Sequence, residues 1–197
     1  MRRRAALALG ALGDTRAVDP LLNVLREAAR EIREAVANAL GSFASAQLVE
    51  TLIELLDDDN VVTRAYAAHA LGSVKARGAV DTLLDLLEHD PEPFVRERAA
   101  AALGHLGEPR AKPTLIMALR GDPAYRIRAY AASSLGALHD PATLDVLLQA
   151  AREDAGEFVR CFAVLELSDF RDSRVLRALL TMLREEQDDL VRGGAAW

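Results

Sequence analysis

The chain is short of almost everything that cross-links or kinks a protein. Of its 197 residues only Cys161 is a cysteine, so no internal disulfide can form. A lone thiol fits a reducing compartment, and the expected location is cytoplasmic. Aromatic residues make up 5% of the chain and hydrophobic residues 51%, so a core has to be built from alanine, leucine and valine. Glycine and proline number 12 and 7, and β-branched residues do not alternate with polar ones. That pattern argues against strands and for helix throughout. No apolar run approaches the roughly 18 residues of a membrane span. Nor is there an excess of positive charge: 24 Lys and Arg stand against 30 Asp and Glu, a net charge of −6. Long-range steering therefore works against nucleic acid and anionic membranes, and neither is expected as a partner.

The first residues, Met1 to Asp14, imitate a signal peptide with a basic start and an apolar stretch. That stretch is short, is interrupted by Gly10, and meets no small-residue cleavage site before Asp14. It also aligns with later segments, so it reads as folded structure.

What the chain does have is repetition. Arginine recurs at Arg2, Arg33, Arg64, Arg96, Arg128, Arg160 and Arg192, at spacings of 31 or 32 residues. Seven residues after each of the first six stands a leucine: Leu9, Leu40, Leu71, Leu103, Leu135 and Leu167. Glycine follows at Gly10, Gly41, Gly72, Gly104 and Gly136, and Ser168 takes the sixth place. A second ladder of paired aliphatics, from Leu21-Leu22 through Leu83-Leu84 to Leu179-Leu180, keeps the same period. Each period holds a leucine-rich segment and a Val/Ile-Arg-x-x-Ala-Ala-x-x-Leu-Gly segment. Both place apolar residues three and four apart, on one face of a helix. Turn signals such as Asp90-Pro91, Asp122-Pro123 and Asp140-Pro141 separate them. Neither helix buries its apolar face alone, whereas stacked pairs do. The expected fold class is all-α: an α-solenoid of about six helix pairs with incomplete terminal repeats. It is read as one domain over residues 1–197 and as a segment of a longer array.

Six residues before each arginine from Arg33 onward sits an acid: Glu27, Asp58, Asp90, Asp122, Asp154 and Glu186. With these motifs the repeat resembles the HEAT repeat, in the short bacterial form named for bilin-lyase subunits (PBS lyase HEAT-like), over essentially the whole chain. The resemblance implies that the leucine-rich helix lies on a convex side and the arginine helix on a concave side. It also implies a structural ladder joining neighbouring repeats, formed by Arg33, Arg64, Arg96, Arg128 and Arg160 with Asp58, Asp90, Asp122 and Asp154. Arginine's planar fork suits carboxylates and carbonyls at a partly buried turn. The acids are placed to cap a helix N-terminus. Small residues such as Ala99, Ala100, Ala102 and Gly104 let helices approach closely, and Gly13 and Gly107 read as C-terminal caps.

Function is expected where the repeats disagree. Positions two, five and nine after the arginine cluster on one helix face, opposite the buried valine, alanine and leucine. Position two reads Arg4, Ala35, Tyr66, Arg98, Tyr130 and Phe162. Position five reads Leu7, Asn38, His69, Ala101, Ser133 and Leu165; position nine reads Ala11, Ser42, Ser73, His105, Ala137 and Asp169. The candidate partner-binding residues drawn from these rows are Tyr66, His69, Arg98, His105, Tyr130 and Phe162. Tyrosine and arginine dominate binding hot spots. The competing reading is that the aromatics fold down and pack on neighbouring alanine-rich helices. Charge is segregated too. Turns inside the pairs are acidic, as at Asp57-Asp58-Asp59, while connections between pairs carry Lys75, Arg77, Arg110 and Lys112.

Three irregularities stand out. The stretch Leu25 to Ile32 has no Gly, Pro or Asp, so its turn is tight or its helices run together. Glu166 and Ser168 replace the recurring alanine and glycine, which predicts looser packing or an altered register there. The chain opens on an arginine helix and stops inside another, at Leu190 to Trp197, so end-to-end self-association through the terminal repeats is a further expectation.

Catalysis is not expected. A di-iron hydroxylase of the wider family uses His-Glu pairs, but this chain contains no His-Glu dipeptide. His69, His89, His105 and His139 show no repeated ligand spacing, so neither metal nor cofactor is expected. No Gly-rich phosphate loop or Ser-His-Asp arrangement is visible, and Cys161 lacks a paired histidine. The expected function is a non-catalytic scaffold binding another protein or peptide. The alternative, implied by the repeat type alone, is a bilin-lyase-like protein handling a chromophore and a phycobiliprotein; fold analogy does not carry function.

Overall fold

The computed structural model describes residues 1–27, 30–43 and 45–185, with the side chains of residues 27, 30, 31 and 185 left aside. The turn expected at Leu25–Ile32, the acids Glu27 and Glu186, Arg192 and the terminal run Leu190–Trp197 therefore fall wholly or partly outside the described residues. The described residues form twelve α-helices, and no strand occurs among them. They are α1 (Arg2–Leu12), α2 (Val18–Glu27), α3 (Arg30–Leu40), α4 (Ala46–Glu54), α5 (Val61–Ser73), α6 (Val80–His89), α7 (Pro93–Leu106), α8 (Lys112–Gly121), α9 (Tyr125–Ala137), α10 (Leu144–Glu153), α11 (Glu157–Leu167) and α12 (Ser173–Glu185). The even helices are leucine-rich and the odd ones up to α11 carry the arginines. The fold is an α-solenoid of helix pairs, in two compact units: Met1–Leu106, and the chain from Gly107 onward.

Inside the first unit α1, α3, α5 and α7 stack in that order, and α2, α4 and α6 pack on α3, α5 and α7 respectively. In the second unit α9 and α11 stack, with α8 on α9, α10 on α11 and α12 against α10. The two helix types are buried differently. In α6 the buried residues are Val80, Leu83, Leu86 and Leu87, and Asp81, Asp85 and Glu88 face solvent. This is one apolar stripe, and burying a leucine such as Leu83 contributes about 2 kcal/mol. By contrast α5 is buried almost all round, at Thr63, Ala65, Tyr66, Ala67, Ala68, Ala70, Leu71 and Gly72. It is sandwiched between α3 and α7 and covered by α4, which only small side chains permit. At Gly72 an added Cβ would lie 2.8 Å from the Ala102 Cα, and at Gly10 the same distance from the Ala39 Cα. The recurring glycine and the recurring alanine of the next repeat are thus one contact.

The acids that precede the arginine helices act as backbone caps. Asp58, Asp90, Asp122 and Asp154 accept hydrogen bonds through Oδ1 from the N–H groups of Asn60, Glu92, Ala124 and Gly156, at 2.8 to 2.9 Å. The connections between pairs reuse the device: Asp14, Asp140 and Asp172 accept from the N–H of Arg16, Ala142 and Arg174. Such side-chain-to-backbone bonds stop one helix and set the entry angle of the next.

Gly13 caps α1 at φ 66°, donating its N–H to the carbonyls of Leu9 and Gly10, and Gly107 has φ 60°. The equivalent positions in two other connections hold Lys75 at φ 56° and His139 at φ 47°. Left-handed backbone costs a side-chain-bearing residue roughly 1 kcal/mol relative to glycine. Lys75→Gly and His139→Gly are each expected to raise stability by about 0.5 kcal/mol, the strain relieved minus the extra chain entropy of glycine. A urea titration of each variant checks this, with the midpoint moving upward.

The sixth repeat keeps its register, contrary to the looser or shifted packing expected from Glu166 and Ser168. Val159, Ala163, Val164 and Leu167 are all buried at the positions their spacing requires. The reason is local: the Glu166 Cβ sits in the space left by Gly136. Ser168 then caps the helix, donating its hydroxyl to the Leu165 carbonyl at 2.7 Å.

Candidate functional site

The recurring arginines bond to acids and carbonyls within the fold, and their wiring is more specific than the sequence pattern. Arg64 donates through Nε and Nη2 to the Asp90 carboxylate, at 2.8 and 3.2 Å, and through Nη1 to the Asp58 carbonyl at 2.8 Å. Arg128 does the same to the Asp154 carboxylate, at 2.8 Å from both nitrogens, and to the Asp122 carbonyl at 2.9 Å. Each arginine therefore grips the carboxylate of the following repeat and only the backbone of the acid six residues before it. Arg96 and Arg160 bond to the carbonyls of Asp90 and Asp154 in the same way. Arg33, 8% exposed, donates instead to the Arg26 carbonyl, so no bond to Asp58 forms at the start of the ladder. Burial pushes the Asp154 carboxyl up, but the hydrogen bonds from Arg128 and from the Gly156 amide outweigh it and hold the group below the usual carboxylate range.

The six candidate binding residues do not share one environment. In the first unit Tyr66 is 0% exposed. Its ring meets the Phe94 ring edge-on, with centroids 5.8 Å apart at 73°. A side chain with no accessible surface cannot touch a partner, so Tyr66 leaves the candidate set. Position two on α5 is roofed by α7, as the buried Ala35 shows for the same position on α3. Here the competing reading, aromatics folded down as core, is the one realised. Arg98 lies above this ring pair, with its Cζ 5.6 Å from the Tyr66 centroid and 5.2 Å from that of Phe94. Half-buried His69 has its Nε2 2.7 Å from the Asn38 Oδ1. Burial, helped by the charges of Arg98 and His105 and opposed by Glu34, lowers the His69 pKa to about 4. The ring is therefore neutral at physiological pH, with its Nε2–H donating to the amide oxygen. His105 is exposed near the end of α7.

In the second unit Tyr130 and Phe162 are half-buried partners on α9 and α11, with centroids 6.3 Å apart at 46°. A second ring pair, Tyr125 and Phe158, sits at the starts of the same helices, with centroids 5.9 Å apart. Tyr125 and Phe158 are 42% and 45% exposed, and Leu165 is 46% exposed. On α11, Phe158, Phe162 and Leu165 follow one another at i, i+4 and i+7, which is a single helix face. The half-buried Glu166 beside them accepts a hydrogen bond from the Ser133 hydroxyl at 2.9 Å.

Phe94, Tyr125 and Phe158 precede Arg96, Arg128 and Arg160 on their helices, so positions counted forward from the arginine do not include them. The signal was present: Phe94 and Phe158 stand four residues before Arg98 and Phe162, hence on the same face one turn earlier. Among the described residues no group of three or more His, Cys, Asp or Glu side chains is placed to hold a metal ion. None of the described helices is long and apolar enough to cross a membrane. The other histidines pair singly, His89 with Asp85 at 3.0 Å and His139 with Asp169 at 4.0 Å.

Solved structures with the same fold have varied roles. YibA of E. coli matches with a TM-score of 0.75 at 21% identity, over 97% of this chain and 71% of that one. The complex of CpcE and CpcF of phycocyanin lyase from a Nostoc species matches with a TM-score of 0.59 at 23% identity, over 99% and 86%. Human deoxyhypusine hydroxylase matches with a TM-score of 0.52 at 21% identity, over 99% and 76%. No curated protein matches the sequence. The family model for HEAT repeats, however, matches residues 1–62, 49–135 and 113–197, which together span the helix pairs, the glycine–alanine contacts and the arginine ladder. By that coverage and that wiring, the chain belongs to the HEAT-repeat family.

Proposed function

We propose that the chain is a non-catalytic scaffold that binds another protein or a peptide, with the aromatic face of α9 and α11 as its principal contact. The observation that carries this reading is the row of exposed Phe158, half-buried Phe162 and exposed Leu165, flanked by Tyr125 and Tyr130. The fold does not need a ring at position two or a leucine at position five: α3 of the first unit carries Ala35 and Asn38 there. Exposed aromatic surface on an otherwise charged protein is the composition of interaction sites. Rings with few rotamers lose little entropy when a partner orders them.

The test is a pull-down with the double variant Phe158→Ser/Leu165→Ser beside the native chain. Both side chains are nearly half exposed, so stability should stay within about 0.5 kcal/mol of native. Recovery of the partner should fall at least about tenfold, because truncated hot-spot residues cost 1 kcal/mol or more each. Undiminished recovery with a normal melting curve removes this face from the function.

A further inference from the structure

We propose that Arg98 is a carboxylate-recognition site on the first unit, taking an Asp or Glu side chain or a C-terminal carboxylate from the bound protein or peptide. The inference rests on the scaffold reading only for the origin of the carboxylate; the site itself is argued from the arginine.

Arg98 differs from every other arginine withdrawn from solvent among the described residues. Arg33, Arg64, Arg96, Arg128 and Arg160 each donate to a carbonyl or carboxylate oxygen. Arg98 donates to none among the described residues, and its Nε, like that of Arg33, is buried without an acceptor. A guanidinium carries five N–H donors in a fixed fork and is never deprotonated, so unmet donors are a standing cost. Arg98 as a whole is half-buried, and Nη1 and Nη2, unlike Nε, are not among the buried atoms without an acceptor. They are the pair that binds a carboxylate end-on through two parallel hydrogen bonds.

The side chain is also held ready. The Cζ lies 5.6 Å from the Tyr66 centroid and 5.2 Å from the Phe94 centroid, so the guanidinium is held against two rings. Fixing a long side chain before binding removes an entropic cost that a free surface arginine meets on association. This gives the buried Tyr66 a role: it never touches the partner but aims the residue that does. The immediate neighbours leave the charge uncompensated. The neutral His69 supplies none, and no carboxylate lies within ion-pair distance of Arg98 among the described residues.

One fork of one charge selects a monoanion. A phosphate dianion calls for a cluster of cations or a helix N-terminus. The net charge of −6 disfavours the approach of highly charged anions in general.

The experiment uses the full chain and three blocked alanine pentapeptides, followed by NMR shifts of the Arg98, His69 and Tyr66 signals. The first peptide carries a central glutamate, the second a free C-terminal carboxylate and no glutamate, and the third a central glutamine with both ends blocked. A saturable shift with the first or second peptide and none with the third is the expected result. The peptide that responds identifies the source of the carboxylate. Arg98→Lys keeps the charge but loses the planar fork, and should weaken binding about tenfold; Arg98→Gln should abolish it. An equal shift with glutamine, no shift with either carboxylate, or an intact shift in Arg98→Gln overturns the site. Loss of partner in Phe158→Ser/Leu165→Ser together with silence at Arg98 rejects the carboxylate site and leaves the scaffold standing. A saturable Arg98 response with undiminished partner recovery in that double variant does the reverse for the aromatic face.

Discussion

Arg64→Ala and Arg128→Ala should each lower the free energy of unfolding by about 3 kcal/mol, the largest effects expected of any polar substitution in the chain. The side chains of Arg64 and Asp90 are 12% and 4% exposed, and those of Arg128 and Asp154 are 15% and 10% exposed. Removing the guanidinium leaves a carboxylate out of water with no counter-charge and a turn carbonyl with no donor. The loss is therefore that of an orphaned buried charge rather than of a surface pair. Arg16→Ala is the internal control, because its pair with Asp14 is 89% and 42% exposed. It should leave stability nearly unchanged. Lysine at position 64 or 128 restores the charge but cannot bridge carboxylate and carbonyl together, so it recovers only part of the loss. The dependence on pH follows from Asp154. Its folded pKa is depressed, so its contribution is present above the unfolded value of about 3.9 and is lost as pH falls through the folded value. Urea titrations between pH 7 and pH 3 should show native and Arg128→Ala stabilities converging as pH drops. A cost below 1 kcal/mol at pH 7 would mean that the ladder does not join the repeats.

How much of this could be read from the sequence depended on periodicity. The 31- and 32-residue spacing of Arg33, Arg64, Arg96 and Arg128 located every arginine helix, because a repeated core repeats its residue types. The ladder's partners were legible as a set but not as bonds. Spacing places Asp58 and Asp90 near Arg64, yet it does not tell which offers a carbonyl and which a carboxylate. The binding faces were harder still. Tyr66 and Tyr130 occupy the same repeat position, but Tyr66 lies under α7 at 0% exposure and Tyr130 is half-buried. What lies above each ring is contributed by the next repeat, where Arg98 and Phe162 differ in size and shape. A helical wheel describes one helix and omits that neighbour. Glu166 misled for the same reason: an acid in an alanine row reads as a defect until Gly136 on the facing helix is seen to make room for it.

That contact sets up the second large effect. Gly136→Ala should destabilise the chain by about 1–3 kcal/mol, the usual cost of an extra methyl in a closed contact. An added Cβ would lie 2.4 Å from the Glu166 Cβ and 2.3 Å from its Oε2. The carboxylate can swing aside, but the Cβ moves only with its helix, so α9 and α11 must part. Gly121 provides the contrast: nothing lies within 4 Å of a Cβ built there, so Gly121→Ala should be neutral or mildly stabilising. Glu166→Gly in the Gly136→Ala background transfers the vacancy to the other helix and should return most of the stability. A double-mutant cycle in urea reads the coupling directly. Glu166→Gln separates shape from charge. Burial, with Asp169 adding to it, raises the Glu166 pKa against the opposing Ser133 hydrogen bond and His139. Its stabilising protonated form is complete below the unfolded value of about 4.3 and is lost as pH rises through the folded value. Glutamine should therefore stabilise the chain at pH 7 and make no difference below about pH 4. The same two helices carry Tyr130 and Phe162, whose centroids stand 6.3 Å apart. The glycine that admits Glu166 also fixes the spacing of those rings. Gly136→Ala should thus weaken partner binding even under conditions where the chain stays folded, and the Glu166→Gly rescue should restore binding along with stability.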